Sequence, residues 1–122
     1  MKAASLALSL LTLSGLAVQI AHAEGALMRA QPAADSVVTE YDGNVITWFS
    51  GNVSKRAPTL IVVDGGGNRV DNGDVDLELG PRSKLSVSTK SLPSGPYVVR
   101  YRVLTLDGLV VSGIYRFTIA QP

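Results

Sequence analysis

The segment from Leu92 to Ile119, LPSGPYVVRYRVLTLDGLVVSGIYRFTI, decides the fold. Tyr97, Val99, Tyr101 and Val103 recur at every second position with Val98, Arg100 and Arg102 between them, the period of a strand that buries one face. The first set is the better core candidate. After the corner Leu106-Asp107-Gly108-Leu109, the alternation returns in Tyr115, Phe117 and Ile119. The stretch therefore predicts two strands joined across an Asp-Gly turn, entered through the stiff Pro93-Ser94-Gly95-Pro96 turn.

Working outward, Asn44 to Phe49 alternates Val45, Thr47 and Phe49 against Ile46 and Trp48. Thr59 to Val63 is a β-branched apolar run that ends in Asp64-Gly65-Gly66-Gly67-Asn68, which is turn chemistry. A second turn at Asp71-Asn72-Gly73 precedes an alternating Val75 to Leu79, and Leu85 to Thr89 is another short strand. About seven short strands punctuated by Gly, Pro and Asn/Asp predict an all-β domain: an antiparallel Greek-key β-sandwich or flattened barrel of immunoglobulin-like type. No stretch after Ala23 carries helical periodicity.

The first 23 residues, MKAASLALSLLTLSGLAVQIAHA, place Lys2 before an apolar run and end in Ala21-His22-Ala23, the small-x-small pattern of a signal peptide. The run is short for a membrane span, which needs about 20 apolar residues, and no stop-transfer pattern follows. Residues 1–23 are thus expected to be an export signal and 24–122 a single domain, with no stable membrane insertion after cleavage. Cysteine is absent, so packing alone must stabilise the domain. Removing Lys2 leaves ten basic against ten acidic residues. A balanced charge argues against nucleic acid and anionic membranes as partners, both of which need a basic excess.

Chemistry is restricted further. The single His, His22, lies inside the signal, and Met28 is the one Met beyond it. A mature chain without imidazole or thiolate is left with carboxylates, backbone groups and its N-terminal amine as metal ligands. Ser-Lys neighbours occur at Ser83-Lys84 and Lys90-Ser91, but adjacent strand residues point to opposite faces, so neither forms a nucleophile and base. No enzymatic activity is expected.

The order Gly95, Tyr97, Val99, Tyr101, Arg102, Val103, Asp107-Gly108, Ser112-Gly113 and Phe117 resembles the closing signature of the CopC-type copper-resistance domain. The resemblance extends over nearly the whole mature chain: Glu24-Gly25-Ala26-Leu27 with Pro32-Ala33 at its start, then Val45, Thr47, Phe49 and Ser50, then Val62-Val63-Asp64 with Gly67. It implies a periplasmic protein that binds Cu(II) through an N-terminal histidine, an Asp, and a histidine after Asp-Gly. By position, Glu24 stands at the first of these, Asp107 matches the second, and Leu109 replaces the third. Both family histidines are missing, so the resemblance implies a weak, oxygen-dominated copper site at Glu24 and Asp107. Cleavage after Ala21 would instead expose His22, although Gln19 then sits where signal peptidase prefers a small residue.

Simpler readings stand beside these. Asp107-Gly108 is common hairpin chemistry in its own right. Leu109, Val110 and Val111, if exposed together, would make an apolar patch for a periplasmic or inner-membrane protein, the reading of a metal-free interaction module. Asp74, Asp76 and Glu78 share one strand face, and a charged edge strand explains them better than a Ca²⁺ site. Gly65-Gly66-Gly67 lacks the Lys or helix of a phosphate cradle and reads as a turn. Trp48 and Tyr41 could stack on a sugar if exposed, though a lone Trp in an alternating strand is more often packed.

Overall fold

Strand alternation is realised as eight strands in the computed structural model, which describes residues 26–121. They are β1 (Leu27–Gln31), β2 (Val37–Val38), β3 (Asn44–Ser50), β4 (Thr59–Asp64), β5 (Asp76–Glu78), β6 (Arg82–Ser88), β7 (Gly95–Leu104) and β8 (Val110–Ile119). One sheet has the order β1-β3-β6-β5 and the other β2-β8-β7-β4. This is the immunoglobulin-like sandwich, an ABED sheet against a CFG sheet, with the first strand divided between the two as β1 and β2.

All pairs are antiparallel except β2 with β8, where Val37 lies beside Thr118 and Val38 beside Ile119 in a parallel register. That departure from a purely antiparallel sandwich arises because the chain crosses between sheets after Gln31 instead of folding back through a hairpin. The longest ladder is the one expected, β7 against β8, running from Gly95 opposite Ile119 to Leu104 opposite Val110.

The inner faces supply the core. Val45, Thr47 and Phe49 of β3, Leu85 of β6, Leu60 and Val62 of β4, and Val99 and Val103 of β7 are all fully buried. Each large apolar side chain removed from water contributes about 1.5–3 kcal/mol. Thr47 is tolerated there because its hydroxyl donates to the Leu85 carbonyl at 3.0 Å.

Two aromatic side chains lock the β7–β8 pair. Near the start of β7, the Tyr97 hydroxyl donates to the Pro93 carbonyl at 2.6 Å while its ring stacks on Phe117 at 5.7 Å. A tyrosine at this corner bonding back a few residues upstream is the tyrosine corner of such sandwiches. Farther along, Tyr101 lies opposite Gly113, and a Cβ there would sit 2.6 Å from the Tyr101 ring carbon Cζ. Only glycine leaves room for that ring.

Candidate metal centre

One end of the sandwich gathers the segments that the sequence reading singles out. Leu27 of β1 pairs with Phe49, and the Ala26 carbonyl accepts the Ser50 amide at 2.9 Å, so the chain enters beside the end of β3. Just beyond β3, Val53 forms an antiparallel bridge with Thr105, and the Ser54 amide donates to Leu104 at 2.7 Å. The β7–β8 corner and the start of the domain therefore share this end. Glu24 and residues 1–23, expected to be the export signal, lie outside the described residues, as does His22.

The corner is a closed five-residue turn. The Thr105 amide donates to the Leu109 carbonyl at 2.8 Å and the Gly108 amide to the Thr105 carbonyl at 3.0 Å. Gly108 takes a φ of 91°, a left-handed conformation that explains glycine after Asp107. The buried Thr105 hydroxyl accepts the Leu109 amide at 2.9 Å and donates to the Asp107 carboxylate. Asp107 thus helps to hold the turn, while its exposure leaves the carboxylate open to solvent.

Among the described residues no group of three or more His, Cys, Asp or Glu side chains is placed to hold a metal ion. One carboxylate does not fit a Cu(II) site, which prefers a tetragonal set of several nitrogen and oxygen donors.

The apolar residues around the corner divide between the two faces. Leu109 is 63% exposed and Val110 52%, but Val111 turns inward and packs against the core. The expected Leu109-Val110-Val111 patch is corrected accordingly, because neighbours on a strand face opposite ways. Leu106, 65% exposed, takes the third place at this tip.

The remaining candidates are structural. β5 is the outer strand of its sheet, with Asp76 and Glu78 exposed, and Asp74 accepts the Ser88 amide at 2.9 Å and the Ser88 hydroxyl at 2.5 Å. The Ser88 hydroxyl, followed by its amide, holds the Asp74 carboxyl below its ordinary range. At the glycine run, Asp64 accepts the Gly66 and Asn68 amides, each at 2.9 Å, so these amides are already used and not free to cradle a phosphate. Ser83 is buried, donating to the Gly51 carbonyl at 2.9 Å and accepting the Val53 amide at 3.1 Å. Trp48 is half-buried on the outer face of its sheet, with the Arg29 guanidinium 4.5 Å from its ring centre.

A buried carboxylate that the sequence reading treated only as part of a turn is Asp71. It accepts the Val62 amide at 2.9 Å, Arg69 Nε at 3.0 Å and the Gly73 amide at 3.1 Å. Burial pushes its carboxyl upward, but these donors outweigh burial and hold it below the ordinary range. Its neighbour segment bridges the sheets, since Val70 donates to Val62 of β4 and Asn72 to Ser88 of β6. Tyr115 is the opposite case: its buried hydroxyl has no hydrogen-bond partner among the described residues, and burial raises it well above the usual phenol range.

Comparison with known proteins agrees with this architecture. The CopC domain model matches residues 27–120. The crystal structure of CopC from Methylosinus trichosporium OB3b is similar with a TM-score of 0.72 and 30% identity, covering 80% of this chain and 94% of that one. PcoC, a methionine-rich copper resistance protein from Escherichia coli, gives 0.66 and 22%, covering 80% of this chain and 100% of that one. No match was found among curated proteins. With nearly the entire described region matched by one family model and the sandwich shared with its solved members, the chain belongs to the CopC domain family.

Proposed function

We propose that this chain is an exported copper-handling protein of the periplasm, a non-catalytic binding module for copper resistance or homeostasis whose Cu(II) site is weakened. The observation that carries this reading is the CopC domain match over residues 27–120, supported by the names of the solved relatives. In it, signal cleavage after Ala23 makes Glu24 the amino terminus, two residues before Ala26, which bonds to Ser50 at the end of β3. The terminal amine, the Glu24 carboxylate and Asp107 are the donors. This set lacks imidazole, which makes copper binding weak and poorly selective. Because an N-terminal amine has a reference pKa of about 8, binding weakens as pH falls.

Calorimetry with Cu(II) on exported protein, its terminus verified by mass spectrometry, tests the reading. Micromolar binding with an oxygen-rich cupric spectrum is expected. An absence of binding in that range removes the carrier role, and a terminus at His22 replaces the proposed ligand set.

A second reading, a metal-free module that docks on another protein, is favoured by the exposed Leu106, Leu109 and Val110 at the tip. Cu(II)-independent function of a variant without Asp107 would support it.

A further inference from the structure

The outer face of the second sheet carries a pattern that copper binding does not use. Leu104 of β7 lies opposite Val110 of β8, Arg102 opposite Ser112, and Arg100 opposite Ile114. On the other side of β7, Thr59 pairs with Arg102 and Ile61 with Arg100. Arg100 is thus flanked by Ile61 and Ile114, and Arg102 by Thr59 and Ser112, with the Leu104–Val110 pair beyond them, and a shallow groove runs between Ile61, Arg100, Arg102 and Ile114. Arg100 and Arg102 are exposed, and among the described residues neither has a hydrogen-bond or ion-pair partner. Ile114 is 66% exposed. Arg116 adds a third cation on the same face, and no carboxylate occupies any outward position of β7 or β8.

We propose that this face docks an acidic partner protein, one that presents carboxylates at two-residue spacing flanked by aliphatic side chains. The proposal deepens the interaction reading above and holds with or without copper. Successive outward residues on a strand are about 6.6 Å apart. Arg100 and Arg102 are therefore a fixed pair of guanidinium groups, each able to take a carboxylate in a bidentate grip. Charge also selects among occupants. A second copy placed across a two-fold axis on this face would set arginine against arginine. Anionic membranes are held by clusters of about four to eight basic residues, against the three arginines here. The size fits a brief encounter: three strands about 4.8 Å apart and a β7 about 33 Å long give roughly 450 Å², within the small, transient class of contacts.

Nuclear magnetic resonance of the isotope-labelled mature protein provides the test. The probes are a synthetic peptide alternating Asp and Leu, one alternating Lys and Leu, and vesicles of phosphatidylglycerol with phosphatidylethanolamine. The Asp-Leu peptide should shift the amides of Ile61, Arg100, Arg102 and Ile114. Its affinity should fall at least about tenfold in Arg100→Glu/Arg102→Glu, the loss expected of interface arginines, and in Ile114→Ser more modestly. Arg29→Glu/Arg82→Glu, on the opposite sheet, should bind as the parent does. Melting curves of these surface variants check that each is folded, and Arg100→Gln/Arg102→Gln replaces the reversal if it is not. Equal losses in the two Arg-to-Glu pairs, equal binding of the Lys-Leu peptide, binding to vesicles alone, or concentration-dependent dimerisation through Arg100 would overturn the proposal. Shifts confined to Leu106, Leu109 and Val110, abolished by Leu106→Ser/Leu109→Ser, would keep the tip as a docking site and remove the sheet face.

Discussion

Two aspartates that open glycine-containing turns have opposite fates in this fold. Asp107, in Asp107-Gly108, is exposed and its carboxylate bonds within its own turn to Thr105. Asp71, in Asp71-Asn72-Gly73, is buried and reaches out of its turn to the Val62 amide on β4. The same residue type in similar local company is spare in one place and structural in the other. What separates them is where the donors lie: Asp71 receives an amide from another strand, Asp107 a hydroxyl from its own turn. Asp71 lies where the chain passes from β4 to β5, and it satisfies a backbone amide at the outer edge of the second sheet. Asp107 sits where β7 and β8 already pair fully with each other.

Asp71→Ala leaves the buried Val62 amide without an acceptor and removes the partner of Arg69, which should cost about 3 kcal/mol. In a domain of this size that is a fall in melting temperature of about 15 °C. Asp107→Ala, which removes one exposed contact in a turn with other bonds, should cost less than about 1 kcal/mol. Thermal unfolding of both variants measures the difference, and equal losses would mean that the position of the carboxylate does not decide its role.

Although Asp107 tolerates loss, the β7–β8 pair is sensitive at Gly113, where Gly113→Ala should destabilise the domain. The added methyl meets Tyr101, whose ring also packs edge-on against Phe49 at 5.5 Å. Overpacking of this kind costs about 1–3 kcal/mol. Combination with Tyr101→Ala should remove most of the added cost of the methyl, and a double-mutant cycle reads the coupling.

The contrast between Asp71 and Asp107 also marks how far sequence reaches. Alternation named the buried faces of β3 and β7 because each residue there meets either the opposite sheet or solvent, a property written in two-residue periods. Asp107-Gly108 was legible as a turn for a local reason, the left-handed glycine. Asp71-Asn72-Gly73 was legible as a turn too, but the role of the Asp71 carboxylate was not, since its deciding partner Val62 lies nine residues away on another strand. Nor did periodicity show that Tyr101 covers Gly113, or that β2 runs parallel to β8, because both depend on which strands become neighbours. At the candidate site the Asp107 position was readable by resemblance. Its engagement with Thr105 and the inward turn of Val111 came only from the register of the hairpin.

The smaller effects are pH dependent. The folded-state pKa of Asp71 is held below its ordinary value of about 3.9, so the sign of the linkage follows. Above that value the unfolded chain is already ionised and the stabilisation is complete; as pH falls through the lower folded-state pKa it is lost. Stability should decline below about pH 4 in the parent and less steeply in Asp71→Asn. Denaturant unfolding at a series of pH values checks this. Asp64 and Asp74 are also depressed, by the Asn68 amide and the Ser88 hydroxyl first, but both carboxylates are exposed and solvent screens their share.

The smallest expected effect concerns metal. If Asp107 is one of a few oxygen donors in a site completed by the amine of Glu24, Asp107→Ala should weaken Cu(II) binding by about tenfold or less, as befits a ligand set without imidazole. Asp71→Asn, whose carboxamide remains at the β4 edge remote in the hydrogen-bond network from the corner, should leave copper affinity unchanged while it lowers stability. Calorimetry of the two variants above pH 7, where the amine is available, separates a coordinating carboxylate from a structural one. Loss of copper binding in Asp71→Asn with the protein still folded would place the metal at the other turn and reverse the roles assigned to the pair.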